Sequence, residues 1–396
     1  MKTHDYITLE DQYGAHNYHP LDVVITKAEG VWVTDIEGKR YLDCLAAYSA
    51  VNQGHCHPKI YQAFIEQAKN VTLTSRAFRN DKLALLYKKL HDLTGYEMSL
   101  PMNSGAEAVE TAVKAARKWG YTVKGIPEGQ AEIICASNNF HGRTTTIVSF
   151  STEDSYRENF GPFTPGFKIV EFGNLESLKL AISKNTAAFL VEPIQGEAGI
   201  IIPPDGYLRE AAKLCKENNV LLIVDEIQSG LGRSGKLFAH EYEGIRPDAV
   251  IIGKALSGGF YPVSAVLSTK EVLGVFKPGE HGSTFGGNPL AAAVAIAALD
   301  VLVDEKLIER SFKLGKYFKE RLESINSSII KSVRGRGLWI GLELTTAARP
   351  YCEALMKEGI LCKETHNTVI RFAPPLVITK EEIDWALERI AIVLAK

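Results

Sequence analysis

The chain has no apolar run long enough to cross a membrane. The longest, Pro289 to Leu299, stops at Asp300, well short of the roughly 20 residues a spanning helix needs. It has no cysteine pairing pattern either. The six cysteines (44, 56, 135, 215, 352 and 362) are scattered and form no C-x-x-C, which fits a reduced protein without disulfides and gives no zinc-ligand spacing. Runs of one charge are also missing: 45 Lys and Arg face 47 Asp and Glu, a formal net charge of -2. Neither nucleic acid nor a membrane is therefore expected as a partner. The opening Met-Lys-Thr-His-Asp-Tyr, with Glu10 and Asp11 close behind, has neither the apolar stretch of a signal peptide nor the acid-poor bias of a transit peptide, and the cytoplasm is the expected location. Low-complexity segments and internal repeats are lacking too.

What is present is an ordinary globular composition, 45% hydrophobic and 23% charged over 396 residues, enough for two compact units with their own cores. The middle of the chain alternates short apolar runs with amphipathic stretches. Ala131 to Ala136, Ala187 to Val191, Val220 to Val224 and Ala249 to Ile252 read as buried strands, and Leu175 to Ser183 and Gly206 to Asn218 as helices between them. That alternation predicts an α/β domain with a mainly parallel sheet. From about residue 290 the pattern changes. Helices are expected from Asn288-Pro289 through Leu302 and over Lys306 to Ile325, Ala347 to Glu358 and Lys380 to Leu394. Strands are expected at Gly337 to Leu344 and Thr368 to Phe372. We therefore expect an arm with a small hairpin (Gly30 to Tyr41) over residues 1–50, packing with the small domain, a large domain over 51–289 and a smaller α+β domain over 290–396.

The chemistry begins with two strand ends. Val220-Leu-Leu-Ile-Val-Asp225-Glu226 delivers acids at the C-terminal end of a buried strand, the ligand edge of an open α/β sheet. Asp248-Ala-Val-Ile-Ile-Gly253-Lys254 delivers a lysine at the same edge. A lone acid there is ordinarily a turn or helix-cap residue, and a lone lysine is ordinarily solvated. Together they suit pyridoxal phosphate (PLP): a desolvated amine bonds the aldehyde, and a carboxylate keeps the ring nitrogen protonated. Asn103-Ser104-Gly105-Ala106-Glu107 then opens a helix with the apolar face Ala106, Val109, Val113 and Ala116, and free N–H groups at a helix start bind phosphate.

Three other patterns are weaker. Gly230-Leu-Gly232-Arg-Ser-Gly235 matches G-x-G-x-x-G, but four residues separate it from the strand and the helix after it is short, so it is a poor dinucleotide site. The same glycines run into Lys236-Leu237, without the hydroxyl of a P-loop. His16, His19, His55, Cys56 and His57 invite a metal reading, yet their spacing suits a turn before Pro58 better.

Motif by motif, the chain resembles the class-III aminotransferases of PLP fold type I, above all the branch that acts on ornithine. The matching stretches are GAHNYHP (14–20), YSAVNQGHCHP (48–58), NSGAEAVETAVKAARKWGY (103–121), NFHGRTTT (139–146), VEPIQGEAG (191–199), VDEIQSGLGRSG (224–235), GKALSGGFYPVSAV (253–266), GSTFGGNPL (282–290) and RFAPPL (371–376). They cover nearly the whole chain. The resemblance implies a large domain with a mainly parallel seven-stranded sheet plus a smaller C-terminal domain, and a homodimer with its site at the subunit interface. Lys254 would carry pyridoxal 5'-phosphate and shuttle the proton. Asp225 would pair with the ring nitrogen, Gln228 with the phenolic oxygen, and Phe140 would stack on the ring. Ser104, Gly105 and Ala106 would cradle the phosphate, joined by Thr284 from the second subunit. Tyr18 and Arg143 would grip the α-carboxylate of ornithine, and Arg371 that of 2-oxoglutarate or glutamate, with Glu197 covering Arg371 while ornithine is bound. Tyr48 joins the substrate residues, core packing being its ordinary alternative. The implied substrates are an amino acid and a 2-oxo acid. N-acetylornithine and 4-aminobutyrate remain alternative donors, and a noncatalytic PLP-fold binding or regulatory protein is the alternative of another class.

Overall fold

The apolar runs of the middle chain do assemble side by side. In the computed structural model, which describes residues 1–395, seven strands form one sheet in the order Met98–Met102, Ser264–Ser268, Ala249–Ile252, Leu221–Asp225, Thr186–Val191, Glu132–Ala136 and Phe167–Val170. All pairings are parallel except those of Ser264–Ser268, which runs antiparallel to both neighbours. Lys396, the last residue of the expected C-terminal unit, lies outside the described residues.

Thr186–Val191, Leu221–Asp225, Ala249–Ile252 and Ser264–Ser268 are buried at every position. That is why the first three read as apolar runs in the sequence: helices cover both faces. Side chains alternate between the faces with period two. Ile133, Cys135, Ile223 and Ile251 pack beneath Val109, Ala112 and Ala116 of the helix Gly105–Trp119. Ile134, Phe189, Leu222 and Val224 pack beneath Leu208 and Ala211 of the helix Tyr207–Glu217.

Two smaller sheets complete the chain. One joins Ile25–Glu29, Trp32–Asp35 and Arg40–Asp43 to the short strand Ile360–Leu361, so the N-terminal arm is hydrogen-bonded to a C-terminal segment. The expected hairpin is there, but with a third strand before it. The other has the order Ile330–Gly335, Ile340–Leu344, Val369–Phe372, Lys363–Thr365. One apolar cluster joins all three sheets, from Leu42 and Ile60 through Ile252, Leu256 and Leu299 to Phe372 and Ile390. The strand read from Gly337 begins only at Ile340, because Gly337 turns at φ 59 against the backbone of Ser234 and Gly235.

Candidate active site

Four neighbouring parallel strands release side chains at their C-terminal ends into one place. Phe140 and His141 follow Glu132–Ala136, Glu192 follows Thr186–Val191, Asp225 ends its own strand, and Lys254 comes two residues after Ala249–Ile252. With Gly105 and Ala106 they line a cavity of about 190 Å³. An open α/β sheet collects ligands at this edge.

Lys254 begins a short 3₁₀ turn with φ 43. Burial pushes its ammonium down to about 8; Arg371 adds to this, while Glu197, Asp225 and Glu192 oppose it. Asp225 is buried and accepts from His141 Nδ1 at 2.7 Å and from the Ile227 N–H at 3.0 Å. His141 is buried as well. Burial alone would lower its pKa, but the bond to Asp225 and the charges of Asp225 and Glu192 outweigh that and raise it. Its Nε2 is buried without a partner. Glu192 accepts from the Phe140 N–H at 3.0 Å, and burial lifts its carboxyl to about 8, with Asp225 adding and His141 opposing. Glu226, the second acid of the strand end, turns away. It accepts from His240 Nδ1 at 2.9 Å and from Ser229 Oγ at 2.5 Å.

The helix start is built as its sequence predicts. Ser104 caps it through its hydroxyl, which accepts from the Glu107 N–H at 3.2 Å, while Glu107 accepts from the Ser104 N–H at 2.8 Å. The first N–H groups of a helix have no intrahelical partner, and Gly105 and Ala106, the first two residues of this helix, line the cavity. Thr284 does not line this cavity; it is exposed, in a loop whose Ser283 accepts from Asn103 Nδ2 at 2.8 Å.

A second cavity of about 400 Å³ shares Phe140 with the first and is lined by Tyr18, Tyr48, Arg143, Tyr156 and Glu197. Arg143 lies 4.2 Å above the Tyr156 ring. Arg371 stands between the two cavities. It is 1% exposed, sandwiched between the rings of Tyr48 and Trp339 at 5.3 Å each. Its Nη1 donates to Glu197 Oε1 at 3.1 Å and to Gln228 Oε1 at 2.9 Å, and Gln228 Nε2 donates to the same Glu197 oxygen at 3.1 Å. Its Nε and Nη2 are buried without partners.

The structure thus gathers Lys254, Asp225, Phe140, Gly105, Ala106 and Gln228 at one cavity and Tyr18, Tyr48, Arg143 and Glu197 at the other, with Arg371 between. Ser104 stays at the rim as a cap. The residues that sequence reasoning passed over are His141, Glu192, Tyr156, Trp339 and Thr365. His141 and Glu192 lie inside motifs already noted, but their contacts with Asp225 and Phe140 cross between strands and leave no local pattern.

The family described as Aminotransferase class-III matches residues 13–394. A protein of Brevibacillus brevis named ornithine aminotransferase is 64% identical over 99% of this chain and 98% of its own length. A crystal structure of the ornithine aminotransferase from Toxoplasma gondii superposes with a TM-score of 0.98 at 46% identity, covering 100% of this chain and 95% of that one. The acetylornithine aminotransferase of Elizabethkingia anophelis superposes at 0.91 with 49% identity, covering 100% and 99%.

Proposed function

From the premise that this chain belongs to the class-III aminotransferases, and so is a PLP-dependent transaminase, we propose that it moves the δ-amino group of L-ornithine to 2-oxoglutarate. The products are glutamate and glutamate 5-semialdehyde, which closes to pyrroline-5-carboxylate. The single observation that carries the choice of substrate is the covered guanidinium of Arg371, held by Glu197 and Gln228 beside a cavity that offers a second arginine, Arg143. Ornithine must present its distal amine and glutamate its α-amine. An enzyme that takes both needs one carboxylate receptor that is always open and one that can be hidden. Each arginine offers a planar fork suited to a carboxylate.

The residues present fit the cofactor. A cavity with one desolvated amine, one buried carboxylate, an aromatic side chain and a helix N-terminus is the donor set it requires. When bound, pyridoxal phosphate supplies an electrophilic carbon for the substrate nitrogen and a ring that draws electrons from the bond being broken. Lys254 would hold it, Gly105 and Ala106 would receive its phosphate on their N–H groups, and Phe140 would cover a ring face. Asp225, braced by His141, would face the ring nitrogen, and Gln228 would reach the phenolic oxygen in exchange for a present partner. Freed when the substrate amine takes its place, Lys254 Nζ would take the proton from the substrate carbon beside the nitrogen and hand it on across that nitrogen rather than back to the same carbon. An amine with a pKa near 8 suits both directions, and a positioned acid–base group of this kind is worth about 10²–10⁴ in rate.

We further read the chain as a homodimer. The side chains of Thr284 and Phe285 are exposed, and the edge strand Met98–Met102 borders a groove of about 400 Å³ with Tyr87, Leu90, Leu100 and Phe276. Thr284 would reach the second copy's phosphate. Residues 51–289 and 290–396 would be its two domains, with 1–50 as an arm joined to the second. None of the helices among the described residues is long and apolar enough to cross a membrane, and the cytoplasm is our proposed location.

A donor panel with 2-oxoglutarate tests the substrate. Ornithine should give the highest kcat/KM, with the cyclised product accumulating. The likeness to an acetylornithine aminotransferase makes N-acetylornithine the second reading, and faster turnover of that donor would overturn the first. Glu197→Gln should lower the ornithine-to-glutamate ratio of kcat/KM by at least tenfold, on the scale of a charge-assisted bond.

A further inference from the structure

Glu197 sits at the tip of a closed turn. Gln195 and Ile201 exchange two backbone hydrogen bonds, at 2.9 and 3.0 Å, and the N–H groups of Gly199 and Ile200 both donate to the Gly196 carbonyl at 3.1 Å. The turn is strained: Ile200 has φ 57, a left-handed conformation that is an outlier for a β-branched residue. Such a conformation persists only where the surroundings over-determine it.

Two side chains from the C-terminal sheet do this. Thr365 Oγ1 donates to the backbone carbonyl of Glu197 itself at 2.6 Å. Arg334 Nε donates to the Gly199 carbonyl at 2.8 Å, and its Nη1 is anchored on Glu343 at 2.5 Å. At the base of the turn the packing tolerates only glycine: a side-chain carbon at Gly196 would lie 2.7 Å from the Trp339 ring and 2.8 Å from Gln228 Oε1. Thr365 and Arg371 are on adjacent antiparallel strands, with Thr365 opposite Val369 and Lys363 opposite Arg371. One small sheet therefore holds both the guanidinium and the backbone of the acid that covers it.

We propose that Thr365, helped by Arg334, is a specificity-determining positioning residue: it fixes the backbone of Glu197, so that the carboxylate covers and uncovers Arg371 by side-chain rotation alone. This rests on the reading of Glu197 as the cover of Arg371. A held backbone lowers the entropy lost when the carboxylate returns to Arg371. Without the tether the covered state is less populated. Ornithine then competes less well, and glutamate finds its receptor open more often. The gain for glutamate falls on KM, because its carboxylate no longer displaces a held acid before binding.

The test is steady-state kinetics with both donors on the purified holoenzyme, comparing wild type with Thr365→Val, Thr365→Ser, Arg334→Met and Glu197→Gln. Thr365→Val keeps the shape and removes the hydroxyl. It should lower the ornithine-to-glutamate ratio of kcat/KM by about five- to tenfold, the scale of one neutral hydrogen bond, with a lower KM for glutamate. Thr365→Ser should restore the wild-type ratio. If Glu197→Gln shifts the ratio and Thr365→Val does not, the tether is wrong and the cover stands. If Glu197→Gln leaves the ratio unchanged, the cover itself fails and the tether with it. An equal loss for both donors in Thr365→Val marks a plain packing or pocket role and overturns the proposal. Should Thr365→Val melt too low to assay, Arg334→Met decides by the same ratio: a fall supports the tether and no change refutes it.

Discussion

At the scale of single residues, the acids around the cavity differ in what burial does to them. Glu192 is 4% exposed, and its carboxyl is lifted from 4.5 to about 8. In the unfolded chain it ionises near its ordinary value; in the folded chain it keeps its proton until near 8. Its favourable share of stability is thus complete below about pH 4.5 and drains away as pH rises toward 8. Glu192→Gln, which mimics the protonated acid, should therefore gain stability relative to wild type between pH 5 and pH 8. Thermal melts at both pH values check this, and a parallel pH dependence of the two proteins would show that Glu192 is ionised in the fold. Asp225 and Lys254 were legible in the sequence because each ends or follows a buried apolar run and so declares its place at the sheet edge. Glu192 follows such a run too, but nothing in its own stretch says that Phe140 and His141 would close over it. Trp339 and Thr365 act across the small sheet, a relation between segments that periodicity does not record.

At the scale of elements, one short piece is unusual. Ala46, Ala47, Tyr48 and Ser49 all have positive φ, 49, 46, 58 and 76°, a full left-handed turn with no glycine. Asp43 Oδ1 accepts the N–H groups of Leu45 and Ala46 at 2.8 and 2.9 Å and pins its entrance. The turn carries Tyr48 onto Arg371. Left-handed residues cost about 1–2 kcal/mol each, and glycine returns some of that as lost chain entropy. Ala47 is exposed, so Ala47→Gly should stabilise the protein by about 0.5–1 kcal/mol; a lower denaturant midpoint would count against strain here. The sequence hid this turn, since Ala-Ala-Tyr-Ser has none of the Gly or Asn that mark left-handed positions. It hid the strand Met98–Met102 for a different reason: Pro101 argues against a central strand, and the structure resolves the conflict by placing this strand at the sheet's edge. The helix Thr3–Tyr13 has no buried residue, so there was no apolar stripe to read. The helix Lys380–Leu394, which buries six residues, was read to its ends.

Across the whole molecule, Arg233 joins the pieces. Its guanidinium is fully buried and donates to the carbonyls of Leu338 and Pro374 at 2.7 Å each and to Asn52 Oδ1 at 2.5 Å. A loop of the seven-stranded sheet is thereby tied to the N-terminal segment and to one end of the two central strands of the C-terminal sheet, where Ile340 pairs with Phe372. All three acceptors are neutral. Burial draws the group down to about 9, with nearby Arg371 adding to the shift and Asp43 opposing it, so it stays charged at neutral pH. Arg233→Met would leave three buried acceptors bare, and each costs about 1–3 kcal/mol, partly offset by the relief of a desolvated charge. A net loss of about 2–4 kcal/mol is expected in urea unfolding; an unchanged midpoint would mean that the three segments hold together without it.

The reacting groups come from chain positions as far apart as Gly105, His141, Asp225, Lys254 and Arg371, each set down by a different strand or helix. A nascent chain therefore owns nothing reactive until almost all of it has emerged and folded, and half a fold has an ordinary lysine and an ordinary acid. The yellow colour of captured vitamin B6 is in this sense a certificate of completed assembly.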